Sequence, residues 1–376
     1  MKAKRLGPFH FGLMVFIAAL AAGAIAGHGA ELYTLDEAID HGVVDMASWS
    51  PPGETAELIG HLGSIAPGIV NRFGFFWSGP TQGQLDHAGA VAADIRRILP
   101  KALFGAAWPE AVRPDYHVSL RCGGEMGERA FTVSDLTIGR VLQHDAIWLD
   151  ISKPETQDYY KCLGQIYLEK GFSLLHFEEA GHLVRDASSP EAAIEAYHRV
   201  FVHLSAYAKS QSLPIYFSGA HMLASAVDLS AAYIPARFYT VTVPEDVKYQ
   251  NKITRPGHGI GYSYTLSSRI VADSKQEFGP AVKLLFYVDN WDPTQDDLRR
   301  FMELDPDNRR FLISASLAAA RSHGVTFVPP LSTCVGCVPV SAVSDTCEIL
   351  PAGQTEYNPL RCGDLALITR TSPREQ

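Results

Sequence analysis

Apolar and polar positions fall into short blocks along the chain, and the stretch from Ala146 to Val184 is the most regular of them. It predicts a strand over Ile147–Ile151, a helix opened at Pro154 and a second strand over Ser173–Phe177 that ends in the adjacent carboxylates Glu178 and Glu179. Within the helix, Tyr159, Cys162, Leu163, Ile166, Tyr167 and Leu168 recur at the three-and-four spacing of one helical face. Gly171 stands where a left-handed C-terminal cap is wanted. Such a unit predicts two parallel strands joined by a crossover helix. Side chains alternate along a strand, so Leu175, Phe177 and Glu179 share one face while Leu174, His176 and Glu178 share the other. A face carrying Leu175 and Phe177 suits a helix layer, which turns His176 and Glu178 inward.

The same reading extends along the chain. Arg72–Ser78 (RFGFFWS) predicts a strand, Leu85–Leu99 a helix with Ala90, Val91, Ile95 and Ile98 on its apolar stripe, and Ala102–Trp108 a strand closing at Pro109-Glu110. Arg113–Asp145, with RCGGEMGER and the acids Glu125 and Glu128, is a polar, glycine-rich excursion of the kind that carries function in compact domains. Pro190–Ser212 predicts a long helix, and Leu213–Ser218, Arg237–Val243, Val282–Val288 and Val325–Val328 predict strands, with a helical stretch over Thr294–Ser322. Eight strands alternating with helices favour a (β/α)8 barrel of the TIM type over an open doubly wound sheet. No glycine-rich dinucleotide fingerprint and no Walker lysine motif occurs. The expected organisation is a signal segment over 1–26, a lead-in over 27–68 with no firm element, a barrel over 69–330 and a cysteine-rich C-terminal tail over 331–376.

The first residues change the picture of where the protein works. Lys2, Lys4 and Arg5 precede an apolar run, Leu13–Ile25, and the small-residue site Ala24-Ile25-Ala26, which together predict an export signal cleaved after Ala26. The run is too short and wrongly flanked for a membrane span. The formal charge is −9, and removal of the three basic residues leaves 29 Lys+Arg against 41 Asp+Glu. That acidic balance argues against nucleic acid and anionic membranes as partners. Of six cysteines, Cys334, Cys337, Cys347 and Cys362 crowd the tail. A zinc ribbon could use them, but an oxidising compartment favours disulfides, and Cys122 with Cys162 is a further candidate pair.

Candidate chemistry gathers at the strand ends. Trp77, Glu110, Asp150, Glu178, Asp289 and Trp291 each lie at the carboxyl end of a predicted strand, and a barrel brings such ends to one mouth. Glycoside hydrolysis needs two carboxyls there, one to protonate the leaving oxygen and one to act as nucleophile or to activate water. Glu178 is the expected proton donor and Asp289 its partner, with Glu179 as fallback and Asp150 as a further candidate acid. Each acid taken alone could equally cap a helix or pair with an arginine, and Asp150 could fix the loop into the Pro154 helix by accepting backbone N–H bonds. Trp77 and Trp291 would stack on sugar rings. Glu110, His176, His182, His221 and Asn290 complete the expected substrate-binding set. No H-x-H at an early strand end, no H-E-x-x-H and no G-x-S-x-G elbow occurs, and His198 and His203 are badly spaced for a metal. No cofactor is expected, although Asp150, His176, Glu178 and Asp289 could serve as ligands in a metal-dependent alternative.

Three segments, WLDISKPETQDYY at Trp148–Tyr160, LLHFEE at Leu174–Glu179 and FYVDNW at Phe286–Trp291, resemble the strand ends of exported TIM-barrel proteins of the glycoside-hydrolase-like class. The resemblance spans residues 69–330 and implies a carbohydrate-directed cleft. The resulting expectation is a secreted or periplasmic enzyme cleaving a glycosidic bond in an oligo- or polysaccharide. The alternative is a non-catalytic barrel that binds glycans or a cell-surface partner.

Overall fold

The computed structural model of the chain describes residues 31–46, 59–60, 62–63, 66–74, 76, 78–141, 146–177, 183–184, 187–219, 233–234, 272, 275–276, 285–287, 320–328 and 330–332. After helix α1 (Leu35–Asp40) come strands β1 (Val43–Met46) and β2 (Ile69–Asn71), helix α2 (Gln82–Ile98) and strand β3 (Leu103–Ala107). An insertion follows, with strands β4 (Ala111–Val112), β5 (His117–Arg121) and β6 (Glu128–Thr132), the short helix α3 (Val133–Leu136), and strands β7 (Thr137–Val141) and β8 (Ile147–Leu149). Helix α4 (Pro154–Glu169), strand β9 (Leu174–Phe177), helix α5 (Pro190–Ser210) and strands β10 (Tyr216–Gly219), β11 (Tyr233–Ile234), β12 (Leu285–Tyr287), β13 (Thr326–Val328) and β14 (Pro330–Ser332) complete the described elements.

One sheet runs β11-β10-β9-β3-β2-β1-β14, and β12 pairs with β13. Every ladder in both is parallel. Pro329 alone separates β13 from β14 in the sequence; β14 pairs with β1, and β13 with β12. The order in the sheet follows the order in sequence, with β4 to β8 inserted between β3 and β9, and β14 returns to β1.

Local chemistry explains the helices. Thr34 with Glu37 and Thr81 with Gln84 form reciprocal capping boxes at α1 and α2, each contributing about 1 kcal/mol. Pro154 and Pro190 occupy first-turn positions of α4 and α5, where the missing N–H costs nothing. Gly171 has φ +87° and ends α4 as expected; a Cβ there would lie 2.4 Å from an Arg96 guanidinium nitrogen. Arg96 in turn donates to the Gly171 carbonyl at 2.6 Å. On α2 the buried stripe is Leu85, Ala88, Val91, Ala92 and Ile95. Ala90 and Ile98 from the expected stripe are exposed instead.

The two faces of the parallel sheet separate cleanly. Val44, Val70, Phe104, Ala106, Leu175, Phe177 and Phe217 join one cluster with Leu85, Ile95, Leu163, Tyr197 and Phe201 of the helices. The alternate residues Val43, Ile69, Leu103 and Leu174 form a second cluster with Ala38, Leu35, Ile39 and Tyr216. Helix α1 therefore covers the starting ends of the strands on this second face.

Three expectations need correction. Ile147–Leu149 is not a parallel partner of β9: it pairs antiparallel with β4 and β7 in a separate sheet. Helix α4 is therefore the crossover from β3 to β9, and residues 111–149 are an insertion between β3 and that helix. Val43–Met46, inside the stretch taken as a lead-in, is a full member of the parallel sheet. The strand expected over Arg72–Ser78 ends at Asn71, because Arg72 adopts φ +50°, outside the extended region. The sixth described strand of the sheet is Tyr233–Ile234. Arg237–Val243, most of Thr294–Ser322 and the tail cysteines lie outside the described residues.

The insertion explains why α4 is buried nearly all round, Thr156, Gln157 and Gln165 included. Phe131 packs edge-on to Tyr159 with ring centres 5.2 Å apart, and the Tyr116 and Tyr159 hydroxyls meet at 2.8 Å. A disulfide between Cys122 and Cys162 fastens the β5–β6 hairpin to α4. That pairing agrees with the candidate pair read from the sequence.

Candidate active site

Buried polar side chains collect where the parallel strands end. Asn71 closes β2 and Arg72 follows it; His176 lies in β9 and Ser218 in β10. All four are essentially shielded from solvent. Burying so many polar groups together costs free energy unless they hold one another in place, so such a cluster within an otherwise apolar sheet marks the site. Arg72 adds a second sign, because a left-handed backbone at a residue with a Cβ costs of order 1 kcal/mol and persists only where the surroundings impose it.

His176 is the centre of this group. It sits on the face of β9 opposite Leu175 and Phe177, as the alternation predicts, and Phe177 packs edge-on to Phe201 of α5 with ring centres 4.7 Å apart. Its Nδ1 lies 2.8 Å from the Ser218 hydroxyl on the adjacent strand, where the two residues are register partners. Its main-chain carbonyl accepts from the Trp108 N–H at 3.0 Å. Burial, reinforced by the positive charge of Arg72, holds its pKa well below the ordinary histidine range. The ring is therefore neutral at physiological pH.

Gly105 of β3 lets the strands carry this polar layer. A Cβ at that position would stand 2.5 Å from the Asn71 amide oxygen and 3.0 Å from its Cα. The absent side chain is what admits Asn71 between β2 and β3.

Two of the expected acids are also placed. The Leu149 N–H donates to the Glu110 carbonyl at 3.0 Å, so Glu110 and Asp150 flank the base of the insertion just past the end of β3. Glu110 is buried beside Tyr160, whose hydroxyl donates to the Pro109 carbonyl at 2.9 Å. The Tyr160 ring stacks on Trp108 at 4.8 Å. Burial, reinforced by the neighbouring Tyr197 hydroxyl and Glu110 carboxyl, raises the Tyr160 pKa far above the usual tyrosine range. Asp150 accepts from the Ser152 N–H at 3.0 Å and from the Ser152 hydroxyl through one oxygen, and from the Ser188 hydroxyl at 2.7 Å through the other. Its carboxylate is thus engaged in joining the turn before α4 to the start of α5, the loop-fixing role weighed from the sequence.

Trp77, Glu178, Glu179, His182, His221, Asp289, Asn290 and Trp291 lie outside the described residues. Among the described residues, no three histidine, cysteine or carboxylate side chains converge as a metal site. A depression lined by Ile194, Glu195, His198 and Arg199 lies on helix α5. Sequence reasoning passed over Asn71, Arg72 and Ser218. Ser218 was visible as a strand-end serine without a nucleophile elbow. Asn71 and Arg72 were signalled only by polar residues that directly follow the apolar pair Ile69-Val70.

No family model matches the chain, and no curated protein matches it. Among solved structures it is similar to the glycoside hydrolase domain of PelA from Pseudomonas aeruginosa, with 9% identity and a TM-score of 0.43 over 77% of this chain and 94% of that one. It is similar to an isomaltulose synthase mutant from Erwinia rhapontici in complex with D-glucose, with 12% identity and a TM-score of 0.47 over 80% of this chain and 65% of that one. Amy13B of Eubacterium rectale gives 8% identity and a TM-score of 0.49 over 88% of this chain and 77% of that one. At these scores neither a substrate nor a site residue passes from those proteins to this chain.

Proposed function

We propose that the chain is an exported glycoside hydrolase of the (β/α)8 type, cleaving a glycosidic bond in an oligo- or polysaccharide with Glu178 and Asp289 as its carboxylate pair. The observation that carries this reading is the buried polar layer of Asn71, Arg72, His176 and Ser218 at the carboxyl ends of parallel strands. In a closed barrel those ends form one rim. Closure requires one further ladder, between β11 and β12.

Glu178 follows His176 by two residues, so an uninterrupted strand puts both on the inner face. Asp289 follows β12 by two residues. In this reading Glu178 protonates the leaving oxygen, and Asp289 attacks the anomeric carbon or activates water. A separation of about 5 to 5.5 Å between the two carboxyls would give retention, and about 6.5 to 9.5 Å inversion. Glu179 is the substitute donor. Trp77 and Trp291 stack on sugar rings, and Glu110, His182, His221 and Asn290 bind hydroxyls. Asp150 supports the loop into α4 rather than the chemistry, because Ser152 and Ser188 hold both of its oxygens. The same engagement weighs against its service as a metal ligand.

Export is supported by the Cys122–Cys162 disulfide, the state favoured by an oxidising compartment. No helix among the described residues is long and apolar enough to cross a membrane. The test is a screen of chromogenic glycosides and polysaccharides with wild type, Glu178→Gln and Asp289→Asn. Turnover by wild type that both folded variants lose supports the enzyme. Glycan binding by all three without turnover would replace it with a carbohydrate-binding module.

A further inference from the structure

Ser218 and His176 occupy paired positions on adjacent parallel strands, both fully buried and both on the inner face. Their side chains meet at 2.8 Å between the serine Oγ and the imidazole Nδ1. Two protons must be placed in this contact: the hydroxyl hydrogen and the single N–H of a neutral ring. Were the ring proton on Nδ1, it would donate to Oγ, and the hydroxyl hydrogen would need a second acceptor. Among the described residues the Ser218 side chain meets none besides this ring nitrogen. An orphaned buried hydroxyl hydrogen is disfavoured. With the ring proton on Nε2, the hydroxyl donates to a bare Nδ1 and its hydrogen is used.

We infer that Ser218 is a positioning residue that locks His176 into the Nε2–H tautomer and so gives the strand-end site a fixed, uncharged hydrogen-bond donor. Neutral imidazole can hold its proton on either nitrogen, and the partner of one nitrogen decides the state of the other. A donor at Nε2 suits oxygen acceptors, either a carboxylate of the site or a hydroxyl oxygen of a bound sugar. The burial and the nearby Arg72 charge that keep the ring neutral also prevent it from presenting two donors at once. The effect on turnover rests on the glycoside hydrolase reading; the tautomer itself does not.

Long-range 1H–15N correlation spectra of the full chain at pH 7 test the inference, with the His176 signals assigned by their loss in His176→Gln. The expected wild-type pattern is a protonated Nε2 and an unprotonated Nδ1; a protonated Nδ1 overturns the assignment without need of any further variant. In Ser218→Ala the single-tautomer pattern is expected to give way to a mixture, and Ser218→Thr to restore it. An unchanged pattern in Ser218→Ala would show that the serine does not set the ring. On any chromogenic glycoside that wild type hydrolyses, Ser218→Ala is expected to lower kcat about tenfold with KM nearly unchanged, with recovery in Ser218→Thr. If wild type hydrolyses none of them while the spectra behave as expected, the hydrolase reading fails and the positioning role stands.

Discussion

The Ser188 hydroxyl donates to the Asp150 carboxylate at 2.7 Å, joining the residue before the Ser189 cap of α5 to the turn that opens α4. This contact separates a structural carboxylate from a chemical one. Asp150→Ala removes the acceptor that the Ser152 and Ser188 hydroxyls share and is expected to lower stability by about 1 to 3 kcal/mol. Turnover per folded molecule should change far less than in Glu178→Gln. Denaturant unfolding alongside initial rates checks both parts, and a stable but inactive Asp150→Ala would return Asp150 to the catalytic set.

The Cys122–Cys162 bond closes a loop whose ends are 40 residues apart. Chain-entropy arguments place the stabilisation from such a loop at about 4 kcal/mol. Cys122→Ala/Cys162→Ala is expected to unfold at a clearly lower urea concentration than wild type, and the reduced wild type at a similarly lowered one. Equal midpoints for the oxidised wild type and the double variant would mean that the hairpin is held on α4 by packing alone.

Gly105→Ala would place a methyl 2.5 Å from the Asn71 amide oxygen and 3.0 Å from its Cα. One contact is with backbone, so the clash is not relieved by turning a side chain. A loss of roughly 1 to 3 kcal/mol is expected, measured by thermal or urea unfolding. Gly127→Ala, where nothing lies within 4 Å of the added carbon but φ is +64°, isolates the conformational cost alone.

His176 also makes stability depend on pH. Its folded pKa is depressed by burial and by Arg72, whereas the unfolded chain takes up this proton near the ordinary value of about 6.5. Below that value the unfolded state binds more protons than the folded one, so stability is full above it and falls as the pH drops towards the depressed folded value. The wild type should therefore lose stability more steeply than His176→Gln between about pH 6.5 and the acid side, by up to roughly 1.4 kcal/mol per pH unit. Parallel unfolding curves for the two proteins would show that His176 titrates normally.

Much of this arrangement is legible in the sequence, for physical reasons that also mark where legibility stops. Leu175 and Phe177 are large and apolar, so their side of β9 had one destination, and His176 was turned inward by default. Gly171 and Pro154 announce the ends of α4 through backbone chemistry that needs no tertiary context. Ile147–Leu149 misleads because an insertion strand packed on a helix has the same apolar character as a central parallel strand. Composition does not reveal its antiparallel partners. Arg72–Ser78 misleads because aromatic richness signals burial, and Phe73 and Phe76 are indeed buried. The turn that ends the strand comes from the unexpected backbone of Arg72. Asn71, Arg72 and Ser218 are single polar residues whose significance lies in being adjacent across strands, a relation that no local pattern carries.

The measurement that bears most directly on the whole account is the initial rate of hydrolysis of a chromogenic glycoside by wild type and by Glu178→Gln, each checked for an unaltered melting temperature. Loss of a general acid should lower the rate by roughly 100- to 10,000-fold. A folded Glu178→Gln that hydrolyses the glycoside as fast as wild type would contradict the assignment of a catalytic carboxylate to the end of β9.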